Sequence, residues 1–294
     1  YNNQGSRIIA IGTSVLYNNA SSVQTSIGIG YEALYSNTTG ASNIGMGYNA
    51  LRSNTTGNYN TGIGTSALVC NTTGVGNTSL GDCAGRCNIT GGFNVNIGYR
   101  AGYGNKVGSS NIAIGRDSMY YNVSGSNNIA AGEYSLRFNT NGSNNIALGN
   151  DAMTANTAGG ANIALGNSAM KCNLTGTNNF AAGPEALILN QSGSYNIAIG
   201  QNALRKTTAS DNIAMGYEAM CSNTTGIYNI ALGRCTMRGT TTGTSNIALG
   251  FQSLRNNTSG NSNIGIGTCT LVSSNGASNN IAMGSCTLCA NTTG

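Results

Sequence analysis

The sequence predicts an all-β protein, a parallel β-solenoid of about 17 rungs, and three observations carry that prediction. A short segment, Asn-Ile-Ala-Ile-Gly in its clearest copies, returns along the whole chain, for example at Asn111 to Gly115, Asn162 to Gly166 and Asn246 to Gly250. The step between copies is almost constant. The composition is foreign to a globular domain: charged residues are 7% of 294, against about 25% in ordinary proteins, and 44 residues are Gly.

Periodicity of this kind is the mark of a stacked repeat and takes precedence over any local reading. The glycines that close the segment are Gly12, 30, 47, 64, 81, 98, 115, 132, 149, 166, 183, 200, 216, 233, 250, 267 and 284. Their spacing is 17 residues except for one step of 18 (Gly12 to Gly30) and one of 16 (Gly200 to Gly216). Ile-x-Ile alternates with period two, so each segment reads as a short strand. The stretch that follows, typified by Gly30-Tyr-Glu-Ala-Leu-Tyr-Ser-Asn-Thr-Thr-Gly40, ends in turn chemistry, since Asn and Gly tolerate left-handed backbone angles. A unit this short cannot bury its own apolar face and must stack on its neighbours. Residues 1–294 therefore read as a single continuous repeat domain. The first and last rungs resemble interior ones, and the chain opens at Tyr1 inside the pattern, so the solenoid is expected to continue beyond this sequence or into another subunit.

Stacking turns each repeat position into a column. Three residues before the closing Gly stands Ile (Ile44, Ile112, Ile163, Ile230, Ile281). One residue before it stands Ile, Leu or Met (Ile63, Leu148, Met215), and four after it Leu or Met (Leu34, Met119, Leu204, Leu288). All three columns are expected to form the core. Two before Gly, nearly every residue is Ala or Gly, which requires a close approach, either across a thin interior or onto another chain. Four before Gly, Asn fills 15 of 17 copies, including Asn43, Asn60, Asn111, Asn145, Asn162, Asn196, Asn246 and Asn280. Stacked Asn side chains hydrogen-bond along a ladder and satisfy turn amides, so this column is expected to be structural.

On these residues the sequence resembles two repeat families. The Asn-Ile-Ala-Ile-Gly strand with small residues after it is similar to the left-handed β-roll repeats in heads of trimeric autotransporter adhesins. The 17-residue form, with Tyr31 to Gly40, resembles repeats in phage and viral tail-fibre-like proteins. The resemblance covers all 17 copies. It implies a homotrimeric fibre located extracellularly, at the cell surface or on a virion; the interior-like end rungs add end-to-end association as the alternative. The unit is longer than that usual in adhesin heads, so coil shape and handedness are not carried over.

A second Asn column, seven after Gly, carries eleven Asn-x-Ser/Thr sequons: Asn19, Asn37, Asn54, Asn71, Asn88, Asn122, Asn173, Asn190, Asn223, Asn257 and Asn291. Three more sequons stand at Asn77, Asn141 and Asn256. Two readings stay open. The column is the turn itself, or it is a set of N-glycan acceptors in a secretory-pathway protein. Nine cysteines suit no common zinc motif, and there is no His. Cys70 and Cys87 share a column on adjacent rungs, as do Cys269 and Cys286, so rung-to-rung disulfides are expected there, the alternative being small buried hydrophobes. Basic residues favour the fifth position after Gly and acids the second, as a solvated face. Tyr31, Tyr48, Tyr99 and Tyr217 share the first position, where packing on the next rung or chain is expected over sugar binding.

The function classes follow. Eight acids scattered along the repeat, with no His, give no convergent catalytic constellation, so no enzyme, cofactor or metal is expected. A net charge of +5 spread along the chain is no nucleic-acid patch, and no apolar run is long enough to enter a membrane. The leading expectation is a structural fibre or shaft that self-associates. A receptor- or carbohydrate-binding adhesin, with cell-surface glycans as partners, is the second. An ice-binding solenoid built on Thr ladders such as Thr38, Thr55 and Thr72 is the third.

Overall fold

The structure is a computed structural model and describes residues 7–20 and 25–292. It divides into two units, 1–145 and 146–294, each a parallel β-solenoid built from the same coil. The first contains β1 (Arg7–Thr13), β2 (Thr25–Tyr31) and six three-residue strands from β3 (Ile44–Met46) to β8 (Ile129–Ala131). The second contains nine three-residue strands from β9 (Ile146–Leu148) to β17 (Ile281–Met283). Strands pair in parallel at the repeat offset, as in Ile112↔Ile129, Ala113↔Ala130 and Ile114↔Ala131. The 16-residue step leaves that register intact, with Ile197 opposite Ile213.

Each three-residue strand ends at its closing glycine, whereas β1 and β2 run one residue past theirs. Gly47 has φ 136, a conformation open to glycine, and a Cβ there would lie 2.5 Å from the carbonyl oxygen of Gly64 on the next coil. Beyond it the chain runs through successive tight turns. In the coil after Gly115, Asp117 (φ 55), Met119 (φ 49) and Asn127 (φ 58) are all left-handed, and the pattern repeats at equivalent positions in nearly every coil. Such angles are uncommon for residues other than glycine. Neighbouring coils hold them: Met119 N–H donates to Ser135 O at 2.9 Å and Tyr121 N–H to Arg137 O at 2.9 Å.

The left-handed turn at the fourth position swings Leu or Met inward. Leu16, Leu34, Leu51 and Leu68 stack in one buried column of the first unit, and Met153, Met170, Leu187 and Leu204 do so in the second. This column forms the core, as the sequence predicts, although Leu288, in the last coil, is exposed. The strand faces, however, are reversed from the expectation. Ala113, Ala147, Ala164 and their equivalents point inward and are essentially inaccessible, while the flanking Ile and Leu point out. Ile44, Ile63, Ile112, Ile163 and Ile230 are half-buried, and Leu148, Met215 and Ile281 are exposed. The cause is the width of the coil. A Cβ on Gly45 would lie 3.1 Å from Cγ of Leu34, so Leu at the fourth position already fills the interior and only Ala or Gly fits opposite. The small-residue column thus marks the close approach across a thin interior.

One place in the first unit inverts the arrangement and follows the same logic. Gly85 and Gly102 replace Leu or Met at the fourth position, and Ser79 and Asn96 replace Ala opposite. Asn96 occupies the vacated space: a Cβ on Gly102 would lie 1.9 Å from Asn96 Oδ1, and Asn96 Nδ2 donates to Ser79 Oγ at 3.0 Å.

Candidate functional site

The two Asn columns are the most ordered polar feature of the coil, and both are internal. Asn43, Asn60, Asn111, Asn196 and Asn246 are buried, and Asn280 is half-buried. Asn111 Nδ2 donates to Gly125 O at 2.8 Å, and its Oδ1 accepts the backbone N–H of Asn128 on the next coil at 3.0 Å. Asn145 continues the ladder onto Asn128 Oδ1, and Asn162 Nδ2 donates to Gly176 O at 2.8 Å. In the second column, Asn122 Nδ2 donates to Asn105 Oδ1 at 2.8 Å and to Gly125 O at 2.9 Å. In most coils one glycine carbonyl therefore receives an amide from each column, as Gly125 does, and ties the strand start to the closing turn; Ala209 and Ala277 take the glycine's place in two coils.

This geometry decides what the sequons can do in the folded coil. Asn37, Asn54, Asn71, Asn88, Asn122, Asn173, Asn190, Asn223 and Asn257 are buried, and Nδ2, the atom a glycan would occupy, donates to the carbonyl three residues on. Asn19 is half-buried, and Asn291 is half-buried with Nδ2 3.3 Å from Asn280 Oδ1. The turn role is the one this packing supports. Asn77 belongs to the buried ladder as well, whereas Asn141 and Asn256 are exposed.

All nine cysteines are free thiols, the expected disulfide partners included. Cys70 and Cys87 do come together on adjacent coils. The hydrogen bond from Cys87 and the charge of Arg86 pull the Cys70 thiol down to about 6 against the opposing effect of burial, and the same shared proton pushes Cys87 up. Cys269 instead directs its thiol at Gln252 Oε1, at 3.9 Å, and Cys286 is exposed. Cys83 is pushed up to about 11 by burial and by Asp82 beside it.

On the outer turn face, charges pair diagonally across coils. An acid at the second position meets a base at the fifth position of the next coil: Glu32 with Arg52 (2.5 Å), Asp151 with Lys171 (3.1 Å), Glu185 with Arg205 (3.3 Å) and Glu218 with Arg238 (2.8 Å). The offset of 20 residues, one repeat plus three, is present in the sequence and identifies these pairs. Aromatic rings stack coil on coil, Tyr31 on Tyr48 at 5.1 Å and Tyr103 on Tyr120 at 4.8 Å. Tyr99 and Tyr217 instead receive Arg100 and Arg234 over their rings.

Two surfaces remain open for partners. The first is the outward Ile, Leu and Met stripe of the strands. The second lies on the turn face of unit 146–294, a trough of about 540 Å³ flanked by Arg205, Lys206, Arg238 and Arg255. Among the described residues no cluster of His, Cys, Asp or Glu has the arrangement of a metal site. Comparison with known proteins finds no matching family model, no matching curated protein and no matching solved structure, so the repeat and its coil are what classify the chain, as a 17-residue parallel β-solenoid.

Proposed function

We propose that this is a structural fibre protein, of the extracellular, cell-surface or virion kind its repeat resembles, whose solenoid units associate side by side with copies of the same chain. The observation that carries the reading is the outward apolar stripe. In the second unit, two side chains from each of nine strands form it, from Ile146 and Leu148 to Ile281 and Met283. Bulk is exchanged between Phe180 and Ala182 within one strand. With about a third of each side chain open, the stripe offers roughly 1,000 Å² per unit, against the ~800 Å² per partner of a standard stable interface. Apolar sheet faces of this kind pack on one another at about 10 Å separation. A second copy is the occupant with the matching chemistry and the matching coil spacing.

A stiff coil also suits a shaft. Backbone bonds between coils recur at every strand and turn, and the Asn ladders add side-chain bonds of the same spacing. The ice-binding reading has less support, because Thr38, Thr55 and Thr72 spend their hydroxyl protons on backbone carbonyls of the next coil at 3.0 Å. The adhesin reading is favoured by one observation, the cationic trough taken up below.

Native mass spectrometry of the intact chain tests the proposal. A mass of two or three times 29.8 kDa, collapsing to one chain when Ile230→Lys and Leu249→Lys are introduced together, supports it. A single chain at micromolar concentration overturns lateral association.

A further inference from the structure

We infer that the trough on the turn face of unit 146–294 binds a linear acidic polysaccharide, one carrying carboxylate or sulfate groups between hydroxyl-rich rings. The inference is independent of lateral association, since the trough and the apolar stripe use different residues.

The trough exists because small side chains interrupt a basic column. Cys221 and Ser222 on one coil and Gly239 on the next leave a floor between Arg205 and Lys206 on one side and Arg238 and Arg255 on the other. Its volume of about 540 Å³ is that of a ligand site. Four cations against Glu185 and Glu218 leave a local excess of two positive charges. Those acids pair with Arg205 and Arg238, so Lys206 and Arg255 have no ion-pair partner among the described residues. Lys206 and Arg255 stand three coils apart, roughly 14 Å at ~4.8 Å per coil. One small anion cannot reach both, but a chain with repeated anionic groups can. An extended sugar chain advances about one coil spacing per ring, so its charges fall in step with the rungs.

The polar lining selects the rest of the ligand. Asn202 Oδ1 is buried at the trough with no hydrogen-bond donor, and Asn256 is exposed at its edge. Asn202 and Asn256 both line the trough, and a side-chain amide pairs with hydroxyl groups, which a sugar brings and an anion alone does not. No aromatic ring lines the trough, which removes the stacking platform that single-stranded nucleic acid uses. Cys221 is the one apolar side chain in the lining, too small a surface for a lipid chain to enter.

The test is equilibrium binding of the full chain to heparin, alginate, neutral dextran and a single-stranded oligodeoxynucleotide at two salt concentrations. Binding of heparin, of alginate or of both, weaker at high salt, with dextran and DNA weaker than either, supports the inference. Heparin alone identifies sulfate as the recognised group and alginate alone carboxylate. The variant Lys206→Ala/Arg255→Ala should lose about ten-fold in affinity, as expected for two charge-assisted contacts, and show a shallower salt dependence. Lys106→Ala/Arg234→Ala, which removes the same charge from exposed sites elsewhere, should change little. Ser222→Tyr fills the trough without altering charge, in a column that already holds Tyr121 and Phe138, and should weaken binding as well. Failure to bind either polyanion, equal binding of dextran, tighter binding of DNA, or full affinity in both trough variants overturns the inference.

Discussion

Replacing Asn111 by Ala should open one seam of the first unit, and its cost can be worked bond by bond. Asn111 Nδ2 donates to Gly125 O at 2.8 Å and to Asn94 Oδ1 at 3.2 Å. Its Oδ1 accepts from the backbone N–H of Asn128 at 3.0 Å and from Asn128 Nδ2 at 3.2 Å. Three of the four partners keep another bond. Gly125 O retains Asn122 Nδ2, Asn94 Oδ1 retains the Asn111 N–H, and Asn128 Nδ2 retains Gly142 O. The Asn128 N–H keeps none, and it is buried. One orphaned buried donor costs about 1–3 kcal/mol, and the lost Gly125 bond adds about 0.5–1.5 kcal/mol. The sum is about 1.5–4.5 kcal/mol, before any cavity term. Asn111→Ser provides the contrast. Ser26 occupies this column naturally, and its Oγ accepts the Asn43 N–H at 3.2 Å, so the hydroxyl introduced by Asn111→Ser should keep the Asn128 N–H paired and recover about half the loss. Because long repeat stacks need not unfold as one cooperative unit, the readout is local: amide hydrogen exchange at Asn128. Exchange should accelerate by roughly tenfold or more in the Ala variant, at tenfold per ~1.4 kcal/mol, and far less in the Ser variant. Equal behaviour of the Ala and Ser variants, or a change below about 1 kcal/mol in the Ala variant, would refute the ladder argument.

Three further predictions follow from the same packing. Cys70 is the thiolate of its pair, so its alkylation rate should rise as pH climbs through about 6, whereas Cys83, held protonated up to about 11, should stay slow at neutral pH; peptide mapping after iodoacetamide pulses separates the two. Expression through a secretory pathway should place sugar at the exposed sequons Asn141 and Asn256 and leave Asn54, Asn71 and Asn122 bare in folded protein, as intact-glycopeptide mass spectrometry would show; occupied glycans at the buried column in a folded sample would contradict its internal placement. Gly102→Leu should destabilise by about 1–3 kcal/mol through collision with Asn96, while Gly102→Leu/Asn96→Ala, which recreates the majority arrangement, should regain most of it; a double-mutant cycle with no coupling would deny that the two columns face each other.

The repeat and the strand positions were legible because they depend on local pattern, Ile-x-Ile having period two. The left-handed turns were misplaced: they fall on Glu32, Leu34 and Ser42, whereas none of Asn37, Thr38, Thr39 and Gly40 has a positive φ, because contacts with the neighbouring coil and not residue propensity hold the left-handed positions. Which face is inside was not legible from hydrophobicity. Ile112 and Ile114 are more apolar than Ala113, yet Ala113 is buried, because the interior is only as wide as one Leu or Met and one methyl group. The sequence held a better signal in the exchange at Gly85, Gly102, Ser79 and Asn96, where one column shrinks as the other grows. The diagonal ion pairs were also within reach, at an offset of one repeat plus three. The trough was not, since Cys221, Ser222 and Gly239 acquire meaning only when four coils are stacked and the cations on either side are seen to flank them.

The left-handed Leu and Met found in most coils bear on how such a protein is made. A residue like Met119 disfavours that backbone angle by roughly 1–2 kcal/mol when its coil stands alone. The bonds that offset this come from the neighbouring coil, at Ser135 O and Arg137 O. A single coil is thus a shape its own residues resist, and an existing coil acts as the mould for the next. Folding of each unit is then a growth process, with a slow first turn and rapid addition at an open edge.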